Sequence, residues 1–195
     1  MIKRIFDVTV AAVALLLSAP VLALIAVAIR LDDGGPVLFR QQRAGRGGTS
    51  FHIHKFRSMR TVAGAAVTSD TDDRITRVGR LLRATKLDEL PQLYDVLVGH
   101  MSLVGPRPEV HRYVAHWPPP ARLRILSVRP GITDPASIAY RHESAELAQA
   151  AQPEEYYVSV VLPRKVEMYL RYVDTRSFLG DLRILARTVR VVLSR

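Results

Sequence analysis

From Val8 to Ile29 the chain runs 22 residues without a charge, VTVAAVALLLSAPVLALIAVAI. As a straight helix that run is about 33 Å long, enough to cross the hydrocarbon core of a bilayer. Ser18 and Pro20 sit near its middle. Pro20 forgoes the hydrogen bond to the Leu16 carbonyl and crowds the preceding turn, which kinks a helix. Ser18 can donate back to the carbonyl of Ala14 and bend the chain further. The pattern predicts a helix broken at Ser18 and Pro20, each arm about 16 Å, that enters one leaflet and returns. A single membrane-spanning helix and a cleaved signal peptide are the plainer readings, although the run is long for a signal. Lys3 and Arg4 precede it, and Arg30, Arg40, Arg43, Arg46, Lys55, Arg57 and Arg60 follow it. Such basic flanks place both ends on the cytoplasmic side.

No other uncharged run approaches 18 residues, so the remainder is a soluble or surface-lying part and the chain is no multi-span transporter. GGPVLFRQQRAGRGGTSFHIHKFRSM predicts a β-hairpin turning at Gly45, Gly47 and Gly48. RITRVGRLLR, residues 74–83, predicts a short basic amphipathic helix, and a second helix is expected over 90–98. Residues 144–171 read as mainly helical, interrupted at Pro153 and Pro163. A last helix over 178–193 carries apolar residues at helical spacing with Arg183, Arg187 and Arg190, suited to the core or to an anionic membrane surface. No repeat or low-complexity linker divides the chain.

Its 195 residues and 48% hydrophobic content suit one domain with a real core. The formal charge of +10 points to an anionic partner: nucleic acid, acidic lipid or a phosphorylated small molecule. Nucleic acid fits poorly, because the arginines are scattered among apolar runs, aromatics are 7%, and no nucleic-acid motif spacing is present. There is no cysteine, which excludes disulfides, thiolate metal sites and cysteine catalysis.

Candidate chemistry centres on ATKLDELPQL, where Asp88 and Glu89 stand side by side. Locally this is an ordinary helix start, with acidic residues at the positive end, Pro91 in the first turn and Thr85 as a capping residue. The same two residues are also a candidate catalytic pair, which the rest of the chain has to support. Arg107 stands between two prolines in SLVGPRPEV, a stiff loop suited to holding phosphate. VRPGIT is a second proline-glycine turn carrying Arg129. His52 and His54 are two apart in the hairpin, but no third ligand has metal-site spacing, so both are expected as surface residues.

KRIFDV, the Ser/Pro-broken apolar run, GPVLFRQQRAG, KFRSM, DDRITRVGRLLR, KLDELPQL, LVGPRP and VRPGIT occur in that order. Together they resemble the monotopic bacterial sugar transferases, the polyprenyl-phosphate phosphoglycosyl transferases, in their minimal catalytic form. The resemblance covers nearly the whole chain and rests on the ordered series, not on any one motif. It implies an α+β, mainly helical fold: a re-entrant helix over 1–30, a small hairpin, and amphipathic interfacial helices around a cytoplasmic catalytic part over 31–195. These form one domain, 1–195, at the bacterial inner membrane.

The implied activity is transfer of a sugar 1-phosphate from a UDP-sugar to undecaprenyl phosphate, releasing UMP and starting a surface glycan. Asp88 is then the nucleophile that carries the phosphosugar, and Glu89 helps hold Mg²⁺. Lys55, Arg57, Arg83, Arg107, Arg129 and Arg141 match positions suited to donor or phosphate contacts. Membrane lipid is a partner, nucleic acid is not, and a homo-oligomer is left open. The chemistry is coherent: a carboxylate attacks phosphorus once repulsion with the diphosphate is relieved, and Mg²⁺ with arginines supplies that relief. A scaffold of the same fold that has lost activity is the alternative, and it predicts disrupted site residues. Departures from the family pattern lie at Ala19 between Ser18 and Pro20, at Asp134-Pro135 after the PGIT turn, and in a long stretch over 144–165 with no evident role.

Overall fold

The apolar run forms most of one long helix, α1 (Ile2–Asp33), which continues through Ser18 and Pro20. Proline forgoes a single backbone bond, and the turns on either side keep theirs. Ser18 Oγ reaches the Leu15 carbonyl at 3.4 Å, one residue short of the expected Ala14. The helix ends at Gly34, whose φ of 70° turns the chain out while its N–H donates to the Arg30 carbonyl. The computed structural model describes residues 1–60 and 72–194.

Strands β1 (Leu38–Ala44) and β2 (Ser50–Phe56) form the expected antiparallel hairpin, with Phe39 opposite Lys55 and Arg43 opposite Phe51. The chain continues through α2 (Arg77–Thr85), a 3₁₀ turn (Leu87–Glu89) and α3 (Gln92–Leu97). Strand β3 (Ser102–Val104) pairs in parallel with β4 (Gly131–Thr133), and α4 (His111–Val114) and α5 (Pro119–Ile125) lie between them in sequence. After β4 come α6 (Pro135–Ala139), α7 (Glu143–Ala148) and α8 (Pro153–Tyr156). A π turn (Tyr157–Val161) then leads without a break into α9 (Leu162–Thr175), and α10 (Phe178–Leu193) closes the chain.

Helix α2 begins three residues later than the sequence pattern suggests, because Thr76 Oγ1 accepts the Gly79 N–H at 2.9 Å and caps it there. Pro153 opens a helix, where a first turn needs no N–H from proline. Pro163 does not interrupt the helical path because it follows the π turn, whose changed hydrogen-bond register accommodates it.

Both ends of α1 dock on the rest of the protein. At its start, Lys3 pairs with Asp181 of α10 at 2.5 Å, and Arg4 donates to the Val96 carbonyl at 2.6 Å. Buried Asp7 accepts the Ser102 hydroxyl at 2.7 Å. At its far end, Ile25 and Ile29 pack with Phe56 and Leu82, and Asp32 accepts the Val78 N–H at 3.1 Å. The face between these anchors is bare and apolar: Leu16 is 76% exposed and Leu24 71%. In the interior, Phe51, Ile53, Leu93, Val96, Met101 and Leu103 pack together, and a second cluster joins Tyr113, Trp117, Leu147, Val161 and Tyr169.

Candidate active site

Helix α2 ends at Lys86, which adopts φ 59° and ψ 13° and caps the Arg83 carbonyl with its N–H. Among the described residues it is the sole non-glycine at positive φ. A left-handed residue at that point reverses the chain, and the 3₁₀ turn that follows carries Asp88 inward. Thr85 does not cap this turn. Its hydroxyl donates back to the Leu81 carbonyl at 2.8 Å, inside α2.

Asp88 is 8% exposed, and its Oδ1 is buried without a hydrogen-bond partner. Glu89 accepts Lys55 Nζ at 2.7 Å and Arg107 Nη2 at 2.5 Å, with Arg107 Nη1 at 3.3 Å from its other oxygen. Lys55 comes from β2 and Arg107 from the loop after β3, so three separate segments meet at one carboxylate. Prolines 106 and 108 fix the backbone on either side of Arg107.

The two adjacent carboxyls titrate in opposite directions. Burial pushes Asp88 up, Lys55 opposes this, and the neighbouring Glu89 charge adds to the rise. Burial would also raise Glu89, yet the Arg107 and Lys55 charges and their hydrogen bonds hold it well below the ordinary carboxylate range. Arg107 in turn is held well above its usual value by Glu89. One carboxyl is therefore held as an anion between two cations at neutral pH, while its neighbour is a desolvated carboxyl with a free oxygen. Such a pair can divide roles, one organising charge and the other attacking.

The remaining candidates are placed as follows. Arg83 in the last turn of α2 lies 3.9 Å from the Met59 sulfur, and its charge acts on Asp88. Arg57 is buried and committed elsewhere, paired with Asp33 and donating Nε to the Pro36 carbonyl at 2.5 Å. It ties the hairpin to the end of α1. Arg129 donates Nε to the Gly99 carbonyl at 2.8 Å, and Arg141 is exposed with Nε 2.9 Å from His142. None of these three contacts the acidic pair. His54 is not a surface residue: its Nδ1 lies 2.7 Å from Asp95 Oδ1, while His52 is exposed.

Sequence reasoning missed three residues around this centre. Gln92 is fully buried one turn after Asp88, with both amide atoms unpartnered. Arg43 donates to the Pro108 carbonyl at 3.1 Å, and Glu109 is buried two residues after Arg107. Only Glu109 had a signal, its place directly after GPRP.

Over residues 1–195 the chain matches the family model described as bacterial sugar transferase. It belongs to the bacterial sugar transferase family. A UDP-glucose:undecaprenyl-phosphate glucose-1-phosphate transferase of Caulobacter vibrioides is 39% identical, over 98% of this chain and 70% of its own length. A UDP-N-acetylgalactosamine-undecaprenyl-phosphate N-acetylgalactosaminephosphotransferase of Aeromonas hydrophila is 36% identical over 99% of this chain. The chain spans 44% of that relative and 36% of an undecaprenyl-phosphate glucose phosphotransferase of Komagataeibacter xylinus, which is 40% identical. An uncharacterized sugar transferase of Bacillus subtilis is 39% identical and is covered to 87%. The sugar transferase motifs quoted above thus lie in the part these relatives share with this chain.

Proposed function

We propose that this sugar transferase moves a sugar 1-phosphate from a UDP-sugar to undecaprenyl phosphate, releasing UMP, through a phosphosugar carried on Asp88. The observation that carries the reading is the buried Asp88 carboxyl with a free oxygen, beside a Glu89 clamped by Lys55 and Arg107. An Asp88 oxygen attacks the phosphorus that bears the sugar, and the bond from that phosphorus to the UMP oxygen breaks. UMP leaves with the electron pair. An oxygen of the lipid phosphate then attacks the same phosphorus, the acyl phosphate bond breaks, and the Asp88 carboxylate is restored. Lys55 and Arg107 lie where charge on the phosphoryl oxygens is offset.

Mg²⁺ fits this donor set. Glu89 offers an anionic oxygen at a part-exposed position, and a single carboxylate with phosphate oxygens and water satisfies this cation. Among the described residues no three His, Asp or Glu side chains form a closed cage, in keeping with a metal shared with substrate. When bound, the ion would supply Lewis-acid stabilisation of the diphosphate. Lys55 and Arg107, which now neutralise Glu89, would then turn to the donor's phosphates.

Topology supports the lipid acceptor. Both ends of α1 dock on one body, while Leu16, Leu17, Leu24 and Leu31 face outward, uncovered. A helix crossing a bilayer about 30 Å thick would carry its ends to opposite sides. With both ends held on one body, α1 rests its bare face in the cytoplasmic leaflet of the inner membrane. The sharp break expected at Ser18 and Pro20 is not seen, and the helix runs on through both. Helix α10 adds exposed Leu179, Val189, Val192 and Leu193 beside arginines, suited to an anionic surface.

Purified protein incubated with undecaprenyl phosphate, Mg²⁺ and a panel including UDP-glucose and UDP-N-acetylgalactosamine tests the reading by UMP release. Release by wild type and none by Asp88→Asn is expected. Equal release by both would remove Asp88 from the chemistry.

A further inference from the structure

We propose that Glu109, backed by Lys165, is a positioning residue that holds Arg107 in place, and that the helical stretch over 143–165 serves this end. The proposal rests on the transfer reading for what Arg107 does. Arg107 must hold its guanidinium against Glu89 or a phosphate, and a planar fork does so only from a fixed base. The loop beneath it is pinned by backbone bonds at both ends: Gly105 N–H to the Thr133 carbonyl at 3.1 Å and Ala44 N–H to the Glu109 carbonyl at 2.9 Å. The side-chain anchor is Glu109, whose side chain is 6% exposed.

Tyr157 donates its hydroxyl to Glu109 at 2.7 Å. Burial, reinforced by the Glu109 charge, pushes the Tyr157 hydroxyl far up, so it remains a donor. Lys165 lies 3.6 Å from Glu109 and 2.9 Å from Glu143, with its side chain only 4% exposed. An ammonium so buried is tolerated only between such carboxylates. Arg43 completes the set, 3.6 Å from Glu109 and bonded to the Pro108 carbonyl. Tyr157 is the first residue of the π turn, and single turns of that kind are frequent at functional sites. The chain Glu143–Lys165–Glu109 therefore ties Lys165, at the end of the stretch without an evident role, and Glu143, just ahead of that stretch, to the Arg107 loop.

A mutant cycle on the full-length protein in detergent tests this. Glu109→Gln removes the charge but keeps an acceptor for Tyr157, and Lys165 retains Glu143. The rate of UMP release should fall about tenfold. In an Arg107→Ala background the same change should cost less than twofold, because both changes act through one group. An equal loss in both backgrounds, or a wild-type rate for Glu109→Gln, overturns the proposal. Lys165→Met takes one of two cations from buried Glu109 and lowers the unfolding midpoint, and Glu109→Gln/Lys165→Met should regain part of the midpoint without regaining the rate. Rate and midpoint recovering together would mark the network as structural only. Hydrogen exchange gives a readout free of turnover: Glu109→Gln should speed exchange over 105–110 and at Ala44 and leave α3 unchanged. Unchanged exchange there overturns the proposal. Wild type that releases no UMP from any donor overturns the transfer reading alone, and the exchange result still decides this one.

Discussion

Gly131 and Gly105 face each other where β4 passes β3, directly under the Arg107 loop. A Cβ on Gly131 would sit 2.1 Å from the Gly105 nitrogen, against an ordinary contact of 3.4 Å or more. Gly131→Ala must therefore part the two backbones by about 1.3 Å, the difference between 2.1 and 3.4 Å. Three hydrogen bonds cross this contact: Ser102 N–H to Pro130 at 2.9 Å, Gly105 N–H to Thr133 at 3.1 Å, and Gly131 N–H to Pro106 at 3.0 Å. Each contributes about 1 kcal/mol, so their loss costs about 3 kcal/mol. For a chain of this size that lowers the unfolding midpoint by roughly 6–12 °C. The same displacement moves Arg107 relative to Glu89, and a misplacement of about 1 Å costs roughly a hundredfold in rate. UMP release and thermal unfolding in detergent are the assays, with Gly47→Ala as the control. Gly47 has φ +70° and open space around a Cβ, so alanine there costs about 1 kcal/mol of backbone strain and spares the site. A Gly131→Ala protein within threefold of wild-type activity and with an unshifted midpoint would refute the reasoning.

Four further outcomes are expected. Asp88→Asn should raise the unfolding midpoint at neutral pH while abolishing transfer. Its raised folded pKa means that Asp88 adds its full stability below its ordinary value of 3.8, and that stability is lost as pH rises through the folded value. Glu89→Gln should do the reverse, because Glu89 stabilises above its ordinary 4.5 and its removal strands Lys55 and Arg107. A loss of about 3 kcal/mol at pH 7 that closes as pH falls below 4.5, followed by unfolding across pH, is the check. Arg57→Met should cost about 2 kcal/mol through Asp33 and Pro36 and leave kcat/KM within threefold; a selective rise in donor KM would return Arg57 to the substrate. Leu16→Lys/Leu24→Lys on the bare face of α1 should lose about 6 kcal/mol of insertion energy and fail to float with liposomes, and unchanged flotation would contradict the leaflet reading.

The sequence by itself determined the elements whose causes are local. An uncharged run of 22 residues must leave water as a helix, glycines at 47 and 48 turn a hairpin at positive φ, and the last helix follows its apolar spacing from Phe178 to Leu193. Asp88, Glu89, Lys55 and Arg107 were legible as an ordered set of motifs, because each motif keeps its own local backbone. Tertiary structure alone decided which of them meet. Lys55 and Glu89 are 34 positions apart and Glu89 and Arg107 are 18 apart, so only packing of the hairpin, the 3₁₀ turn and the β3 loop brings their charges together. It also separated Arg57 from that set, since the end of α1 supplies Asp33 first. Finally, it decided the opposite titration of two neighbouring carboxyls. Desolvation and the distance to a cation set that behaviour, and neither quantity exists until the chain has folded.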